Sequence, residues 1–414
     1  MKLLTVDTIE EARRKLLGCV TRGGARQALS CERLEIAKAL GRVLAADVIA
    51  PENVPDFSRS AVDGYAVISA DTAGAGEALP VLLRLAGEVE MGKPAGLSLR
   101  RGECAYVPTG GMIPDGADAM VMVEYTEAFG GEIAVYESAA VGSHVARIGE
   151  DFRQGEILLR RGTTLRSQEI GALAAAGVAQ VPAYLPLRIA IISSGDELVA
   201  PSARLSPGEV CDINTLALEA LAKESHYRVV MTRTVKDDEK ALEEAVRSAM
   251  RESDVVALSG GSSQGAKDMT AQVFSRLAEP GVFTHGLAVK PGKPTILGYD
   301  EKTDTVLAGL PGHPVSALMV FRILFSWLAR QLTGQKEPSP IFAKITCNIA
   351  SAPGRTCYQP VALRLCERGG EYLAEPVFGK AGMITGMTKA DGYVIIDLNN
   401  EGLEKGEAVQ VFLW

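Results

Sequence analysis

The sequence has neither a Cys-x-x-Cys pair nor cysteine and histidine residues at the spacing of a zinc site. Its 7 cysteines are scattered, and an odd, unclustered set is typical of a reducing compartment. The N-terminus lacks the apolar core of a signal peptide, and no run reaches the roughly 18 apolar residues of a membrane span. We therefore expect a soluble, cytoplasmic protein that makes no membrane contact.

An excess of positive charge is also missing. The chain has 43 lysines and arginines against 51 aspartates and glutamates, which gives a formal net charge of -8. This balance excludes a general nucleic-acid binder but leaves room for a local basic pocket. The 414 residues are 47 % hydrophobic, as in globular proteins, and a chain of this length is expected to divide into several domains.

Three short apolar runs in the middle of the chain each stop abruptly at small or charged residues. The runs cover residues 187–192, 254–258 and 305–310. They are rich in β-branched residues and do not alternate, which is typical of strands buried on both faces of a parallel sheet. Helical patterns lie between them, at residues 214–225, 238–251 and 269–278. This β-α repetition predicts an α/β domain whose ligands bind beyond the carboxyl ends of the strands.

Candidate ligand groups stand directly after these strands. They are Ser194, Gly195, Asp196 and Glu197 after the first run, Asp237 and Asp238 after a further predicted strand at 228–235, and Gly260, Gly261, Ser263, Gly265 and Asp268 after the second run. An acidic pair such as Asp196 and Glu197 can ligate Mg²⁺ or orient a substrate. One of Asp237 and Asp238 is expected to serve only as a helix N-cap. The glycine-rich segment, with Asp268 at the predicted start of the next helix, is a candidate phosphate cradle. It is not a Walker loop, because no Gly-Lys-Ser/Thr follows.

Two lysines, Lys290 and Lys293, stand on a rigid Lys-Pro-Gly-Lys-Pro turn. Such a turn is either a solvated surface feature or, if it lies near several carboxylates and glycines, an oxyanion or phosphate site. The residue types leave both interpretations open.

A Pro-Gly turn follows the third run. It consists of Pro311 and Gly312, and His313 comes next, before an apolar helix predicted at 314–332. This helix is expected to be buried, with its positive dipole end facing the same crevice as the strand ends. His313 is either a core histidine or a catalytic one.

The N-terminal part of the chain is predicted to be β-rich. Residues 65–136 contain four short strand patterns separated by turns with glycine. Asp63 stands in a turn-rich loop before them, and Thr109 precedes two glycines, which suits either an anion contact or a wide hairpin loop. Asp151 belongs to a charged cluster of the kind that usually marks a solvated face. Further strand patterns within residues 341–413 predict a small barrel or sandwich.

Seven short motifs occur in order along nearly the whole chain. They are residues 60–66 (Ser-Ala-Val-Asp-Gly-Tyr-Ala), Thr109-Gly110 with Pro114-Asp115-Gly116-Ala117-Asp118, Gly149-Glu150-Asp151, residues 193–198, residues 260–268, residues 290–294 and residues 310–317. Each motif alone is weakly specific, whereas seven at compatible spacing are highly specific. Together they resemble the molybdopterin molybdenumtransferase family, the MoeA type that includes the E domain of gephyrin.

The resemblance implies a multidomain α/β protein. Its central domain would have a parallel sheet and be molybdopterin-binding and adenylyltransferase-like, beside a β-rich N-terminal domain, a small helical or mixed linker domain and a C-terminal β-barrel. The expected boundaries are residues 1–50 with 145–185 for the linker domain, 51–144 for the β-rich domain, 186–335 for the α/β domain and 336–414 for the barrel.

The resemblance also implies a reaction, in which molybdate is inserted into adenylylated molybdopterin with Mg²⁺-dependent release of AMP. The catalytic residues it implies are Asp63, Thr109, Asp151, Glu197 and Asp268. The Mg²⁺ ligands it implies are Glu197, Asp237, Asp238 and Asp268. The substrate contacts it implies are Ser194, Gly195, Asp237, Asp238, Gly260, Gly261, Ser263, Lys290, Lys293, Pro311, Gly312 and His313.

The implied assembly is a homodimer whose active site is shared between the subunits. Molybdopterin adenylyltransferase, apo-molybdoenzymes or their chaperones are implied as partners. Three alternatives stay open: tungstate insertion by the same chemistry, a molybdopterin-binding scaffold or carrier without turnover, and an adenylyltransferase. The chain also departs from the family in having Ala381 where a Ser-Gly-Met motif is common, which removes a hydroxyl contact.

Overall fold

The computed structural model describes residues 6–22, 30–260, 264–366 and 370–414. The chain divides into two compact units. The larger contains Met1–Glu32, Gly41–Ala45 and Ala183–Trp414, and the smaller contains Arg33–Leu40 and Ala46–Pro182. This division is coarser than the four expected domains, whose boundaries stay a prediction.

The larger unit contains a six-stranded sheet, which we call the central sheet. Its strands in spatial order are Arg228–Val235, Arg188–Ser194, Val255–Gly260, Thr305–Leu310, Ile296–Asp300 and Pro280–His285. The first four are parallel, which confirms the predicted parallel sheet. The last two are antiparallel additions that the sequence patterns did not reveal. Thr305–Leu310 is buried at every position, as expected for a strand covered on both faces.

Helices form one hydrophobic core on each face of the central sheet. Alternate residues of a strand point to opposite faces, so Ile189 and Ile191 join one core while Ala190 and Ile192 join the other. The helices of the first core are Ile9–Arg22, Ile213–Glu224 and Pro314–Thr333. The helices of the second are Glu239–Glu252 and Gln264–Leu277.

Side-chain caps fix where three of these helices begin. Thr8 and Glu11 form a capping box, in which the Thr8 backbone N–H donates to the Glu11 carboxylate at 2.8 Å and the Glu11 N–H donates to Thr8 Oγ1 at 3.2 Å. Asp212 and Asp238 each accept from the backbone N–H three residues on, at 3.0 and 2.8 Å. These bonds satisfy helix N–H groups that have no partner inside the helix.

The helix Pro314–Thr333 is a core element. It consists of two α-helical segments, Pro314–Val320 and Trp327–Thr333, joined by a π-helical turn at Phe321–Ser326. Among the described residues it is the one helix long and apolar enough to cross a membrane, yet 67 % of its apolar window is buried inside the protein. Its composition is therefore that of a core helix, as predicted.

The last part of the chain forms a closed five-stranded barrel, which confirms the barrel prediction. Its strands pair in the order Thr356–Leu365, Tyr372–Pro376, Ile341–Ile345, Ala408–Leu413 and Gly392–Ile396, and the last pairs back with the first. A two-residue strand, Val289–Lys290, pairs in parallel with the beginning of Thr356–Leu365. Shorter pairs in this unit join Leu198–Val199 to Val210–Cys211 and Ile349–Ala350 to Gly402–Leu403.

The smaller unit is β-rich, as predicted. Its six-stranded sheet has the spatial order Ala119–Met122, Gly64–Val67, Glu103–Val107, Val81–Glu88, Glu132–Val135 and Thr126–Phe129. Only the pairing of Val81–Glu88 with Glu103–Val107 is parallel among the pairs of this sheet that the structure describes. Short pairs join Arg59–Ser60 to Val145–Ala146 and Val48–Ile49 to Ile157–Leu159, and Ser167–Ala175 is helical.

Candidate active site

The strand Arg188–Ser194 ends at a cluster of polar groups. The Ser194 hydroxyl donates a short hydrogen bond to the Asp237 carboxylate. The Asp237 backbone N–H in turn donates to Asp196 Oδ1 at 3.3 Å. The predicted site residues Ser194 and Asp237 are therefore together at the carboxyl end of the parallel strands, where ligands of such sheets bind.

The two neighbouring aspartates have different roles. Asp238 is the N-cap of Glu239–Glu252, and its carboxylate accepts from Ala241 N at 2.8 Å. Asp237 is exposed, and its carboxylate accepts a hydrogen bond from the Ser194 hydroxyl. Of the pair, Asp237 is thus the better candidate for a functional carboxylate.

Glu197 is exposed and folds back over its own turn. A Cβ atom on Gly195 would come within 2.9 Å of Glu197 Oε2, so this carboxylate lies against the backbone of Gly195. The backbone N–H of Gly195 donates to Val235 O at 3.1 Å, which brings the turn to the end of the strand before Asp237. Gly195 lets the carboxylate lie close to the strand ends, where a larger residue would collide with it.

The described residues contain no group of three or more histidine, cysteine or carboxylate side chains arranged to hold a metal ion by themselves. Mg²⁺, however, commonly uses one or two carboxylates and completes its shell with waters and substrate phosphates. The exposed carboxylates of Glu197 and Asp237 fit such a partial ligand set. Asp238 fits it less well, because its carboxylate is already the helix cap.

The predicted start of the helix that follows the second run was wrong. This helix begins at Gln264, so Asp268 lies in its second turn and not at its N-terminus. The single glycine at 265 weakens helix propensity but does not outweigh the helix-forming residues around it. Gly261, Ser263 and the side chain of Asp268 lie outside what the structure describes, so their site roles stay predictions.

Gly260 is placed by strand packing. It pairs with Ser194 on the neighbouring parallel strand, and a Cβ on Gly260 would come within 2.5 Å of Ser194 O. A larger residue would push apart the ends of the two strands. Gly260 therefore keeps the polar cluster around Ser194 compact.

The Lys-Pro-Gly-Lys-Pro turn packs tightly on the core helix Pro314–Thr333. Gly292 has a φ of +118°, and a Cβ there would come within 2.4 Å of Val320 Cγ2. Both Lys290 and Lys293 are exposed, on either side of the buried Gly292. The helix thus fixes the turn at its centre while both ammonium groups stay accessible.

These two lysines line a cavity of about 430 Å³, which we call the cationic pocket. Arg355 and Lys380, from the barrel, line it as well. Within the described part of the chain, none of these four cations makes an ion pair, and none of the residues that line the cavity is an aspartate or glutamate. Four cations without a counter-charge around one cavity give it a positive potential, which favours an anionic ligand.

The remaining wall of the cationic pocket is apolar or neutral. It includes Phe378, Met383, Met387, Ser316 and the buried residue Cys357. Val315 N, at the start of the core helix, donates to Ala381 O at 3.2 Å and ties the barrel segment to the helix. Ala381, which has no hydroxyl, lines the same cavity as Ser316, which has one.

The Pro-Gly turn lies at the same edge of the central sheet. Asn214 Nδ2 donates to Gly312 O at 2.8 Å and to Ser259 Oγ at 2.7 Å, which joins a helix start to two strand ends. Pro311 is buried. His313 is the exposed N-cap residue of the core helix and makes no side-chain cap bond, so the core-histidine interpretation is wrong.

In the smaller unit, Asp63 and Thr109 are direct neighbours. The Thr109 backbone N–H donates to Asp63 Oδ1 at 2.7 Å, which leaves the Thr109 hydroxyl for another partner. Both residues are exposed. The loop of Asp63 and the loop of Thr109 are therefore held together by a charge-assisted hydrogen bond.

Asp151 is exposed too, and its backbone N–H donates to Val54 O at 3.0 Å.

Sequence reasoning missed the contributions of Arg355, Cys357 and Lys380 to the cationic pocket. They come from the barrel, far along the chain from Lys290 and Lys293, and have no local spacing that connects them to those lysines. The pairing of Val289–Lys290 with Thr356–Leu365, which places Cys357 opposite Lys290, is a long-range contact. Only a pairing signal between these two segments could have revealed it.

Three family models match successive parts of the chain. They are the MoeA N-terminal region (domain I and II) at residues 7–177, a probable molybdopterin binding domain at residues 190–330 and the MoeA C-terminal region (domain IV) at residues 343–414. Together they match well over half of the sequence.

Curated proteins and solved structures agree with this match. The chain is 32% identical to a molybdopterin molybdenumtransferase of Haemophilus influenzae, over 92% of this chain and 93% of that protein. It is 31% identical to a putative molybdopterin biosynthesis protein of Methanocaldococcus jannaschii, over 92% of both. A molybdopterin biosynthesis MoeA protein from Pyrococcus horikoshii has a TM-score of 0.78 at 35% identity, over 99% of both chains. A second structure of a MoeA protein from that organism has a TM-score of 0.82 at 28% identity and covers 99% of this chain and 100% of that chain.

The matches over nearly the whole chain indicate the same family as the seven motifs do. The central parallel sheet and the C-terminal barrel agree with that family. The resemblance seen in the sequence is thereby confirmed, and the chain belongs to the MoeA family of molybdopterin biosynthesis proteins.

Proposed function

We propose that this chain is a molybdopterin molybdenumtransferase that inserts molybdate into adenylylated molybdopterin and releases AMP in a Mg²⁺-dependent reaction. Family membership and the names of the relatives support the substrate class. The observation that carries the chemistry is the cationic pocket, where four cations have no counter-charge among the described residues. Molybdate is a dianion, so it supplies the charge that this pocket lacks.

The positions of the two lysines suit them to bind an oxyanion. Lys290 and Lys293 stand on a turn whose centre is held against the core helix, so the backbone that carries them need not move when an oxyanion enters. Donors arranged before the reaction stabilise developing negative charge far better than groups that must first reorient. The pocket would therefore concentrate molybdate and stabilise its negative charge while one oxygen atom leaves as water with the two protons of the pterin dithiol and two Mo–S bonds form.

The carboxylates at the strand ends have the complementary task. Glu197 and Asp237 would hold Mg²⁺, whose charge neutralises the pyrophosphate and makes AMP a better leaving group. Ser194 donates to Asp237 and so holds that carboxylate in place. Asp268 is proposed as a further ligand on the strength of the family resemblance alone.

The experiment that tests this function measures AMP from adenylylated molybdopterin with the purified chain. AMP release should need both the oxyanion and Mg²⁺, and molybdate and tungstate are supplied in separate arms. AMP that appears at the same rate in EDTA without oxyanion would show that the coupled mechanism is wrong. Tight binding of the substrate without AMP release in any arm would instead show a scaffold.

Two lysine variants test whether the oxyanion binds in the cationic pocket. Lys290→Ala should raise the molybdate concentration at half-maximal rate by about tenfold or more, because it removes one charge-assisted contact. Lys405→Ala changes an exposed lysine of the barrel that does not line the pocket and should leave this concentration unchanged. Equal effects of the two variants would remove Lys290 from the site.

We further propose a cytoplasmic homodimer in which Asp63 and Thr109 of one subunit complete the site of the other. Asp63→Asn and Glu197→Gln chains, each inactive alone, are unfolded and reassembled together. If subunits assort randomly, half of the dimers are mixed, and each mixed dimer has one intact site, so roughly a quarter of the wild-type activity should return. A mixture as inactive as its parents would show that each site lies within one subunit.

A further inference from the structure

Residues of the N-terminal helix Ile9–Arg22, the core helix and the barrel line a second cavity of about 810 Å³, which we call the aromatic pocket. All of them belong to the larger unit, and the proposed reaction uses none of them. The aromatic and arginine residues of this lining are Trp327, Tyr358, Tyr393, Phe412, Trp414, Arg13, Arg322 and Arg330.

Contacts between side chains place the guanidinium groups and the rings at the wall of the aromatic pocket. Arg322 stands over the ring of Trp414 at 5.4 Å, and Arg13 stands over the ring of Trp327 at 5.0 Å. The Trp414 ring in turn lies 5.5 Å from the ring of Tyr393. Because both members of each pair line the cavity, its wall consists of cations set against aromatic rings.

Two of the three arginines already have hydrogen-bond partners. Arg13 Nε and Nη2 donate to one backbone carbonyl of the core helix, at 3.0 and 2.7 Å. Arg330 Nε donates to the Glu337 carboxylate at 3.0 Å. Arg322, in contrast, makes no hydrogen bond to any residue that the structure describes, and the carboxylate of Glu224 stays 3.7 Å from its Nη2. Arg322 is therefore the cation with donors to spare.

The guanidinium of Arg322 is also poorly solvated. Only 22% of its side chain is exposed, whereas 68% of the Glu224 side chain is, so that carboxylate stays largely in water. Burial lowers the pKa of Arg322 for the same reason. Arg322 belongs to the π-helical turn Phe321–Ser326, a distortion that is frequent at functional sites. A half-buried guanidinium with unused donors favours a carboxylate, which matches its planar fork with two parallel hydrogen bonds.

The acidic residues of the aromatic pocket limit the charge of its ligand. Four carboxylates line the pocket, and all four are exposed: Glu10, Glu224, Glu337 and Asp397. They would repel a dianion such as molybdate, whereas a single negative charge is balanced by the arginine with free donors. The cationic pocket differs in this respect, because none of its described residues is acidic.

We propose that the aromatic pocket binds a small carboxylic acid with an aromatic or apolar body. Arg322 holds the carboxylate, and the body packs on Tyr393, Phe412 and Trp414. The rings of Phe412 and Trp414 lie 5.7 and 5.5 Å from the ring of Tyr393, so the three form one apolar surface beside the guanidinium. This site lies outside the proposed reaction, and the inference does not depend on the proposed function.

The test uses 3-phenylpropionate as the probe and tryptophan fluorescence as the readout. Both tryptophans of the chain, Trp327 and Trp414, line the aromatic pocket, so their fluorescence reports binding there. Titration of the whole chain should give a saturable change with a Kd of about 1 mM or lower. The neutral analogue 3-phenylpropanamide has nearly the same shape and should bind about tenfold more weakly, because it cannot form the charge-assisted pair. The dianion benzylmalonate should also bind about tenfold more weakly, since the four exposed carboxylates repel its second charge.

Two arginine variants connect this binding to Arg322. Arg322→Met keeps an apolar stem but lacks the guanidinium, so its affinity for 3-phenylpropionate should fall about tenfold or more. Arg364→Met is the matched control, because Arg364 is an exposed arginine of the barrel that pairs with Glu375 and does not line the pocket. It should bind the probe as the wild type does.

Three results would overturn the proposal. They are the absence of a saturable change in the wild type at tens of millimolar probe, equal affinity for the acid and the amide, and equal affinities of the Arg322→Met and Arg364→Met chains. The comparison of acid with amide uses the wild-type chain alone, so it decides the question even if Arg322→Met does not fold.

Discussion

Replacing Gly292 by alanine tests whether the lysine turn is fixed by the core helix. Gly292 has a φ of +118°, a region that side chains rarely adopt. Its new Cβ would stand 2.4 Å from Val320 Cγ2 and 3.2 Å from Val289 Cγ2. The first distance is far below van der Waals contact, so either the turn or the helix has to move.

The expected cost has two parts. An unfavourable backbone conformation costs about 1–3 kcal/mol, and overpacking of a well-packed contact costs about another 1–3 kcal/mol. The sum, about 2–6 kcal/mol, is a large fraction of the roughly 5–15 kcal/mol by which folded domains are stable. If the turn moves to relieve the contact, stability is partly recovered but both lysines shift, and oxyanion affinity should fall.

Urea denaturation followed by tryptophan fluorescence measures this cost, since both tryptophans, Trp327 and Trp414, lie in the larger unit. Gly334→Ala is the control, because Gly334 also has a positive φ, +72°, but no atom stands within 4 Å of its Cβ position. It should cost only the backbone part, about 1–2 kcal/mol. In a Val320→Ala background the cost of Gly292→Ala should shrink, because the crowding atom is gone. If Gly292→Ala costs no more than Gly334→Ala and keeps full oxyanion affinity, the reasoning is refuted.

Two further predictions concern single side chains. Asp238→Ala removes a helix cap, so it should lower the free energy of unfolding by about 1 kcal/mol and leave turnover near normal. Asp237→Asn should instead reduce AMP release by orders of magnitude with little change in stability. The reverse pattern would exchange their roles. Burial raises the pKa of Cys104 from 9.0 to about 12, so the folded chain keeps this proton where the unfolded chain loses it. Its contribution to stability is complete below pH 9 and should fall as pH rises towards 12, by at most about 1.4 kcal/mol per pH unit. Cys104→Ala should flatten that slope in alkaline unfolding curves, and an unchanged slope would contradict the assignment.

The central sheet could be predicted because three of its four parallel strands contain a continuous apolar run with a polar end. Strand 305–310 was predicted with its observed boundaries, since all six residues are buried. The antiparallel strands Ile296–Asp300 and Pro280–His285 were missed, because glycine, proline and polar residues interrupt their apolar pattern. Their positions are set by pairing with Thr305–Leu310, a tertiary effect that overrides local propensity.

The site was predictable where it follows a strand and hidden where it depends on packing between distant segments. Ser194 ends one strand and Asp237 follows the end of its parallel neighbour, so their proximity follows from the strand order. Nothing near Arg355 or Lys380 in the sequence points to the lysine turn, since the barrel brings them there. The helix start before Asp268 was also misplaced, because a glycine near a helix N-terminus looks like a loop.

The parallel pairing of Val289–Lys290 with the barrel has a consequence for how the protein could be shortened during evolution. A protein that ended after residue 340 would keep every strand of the central sheet but would lose Tyr358, a barrel residue that belongs to the hydrophobic core on one face of that sheet. Such a protein would retain the carboxylates at the strand ends, but it would lose Arg355, Cys357 and Lys380 together with the strand that holds the lysine turn. Truncation would therefore preserve the carboxylates that we propose to act at the pyrophosphate and remove three of the residues that line the proposed oxyanion pocket.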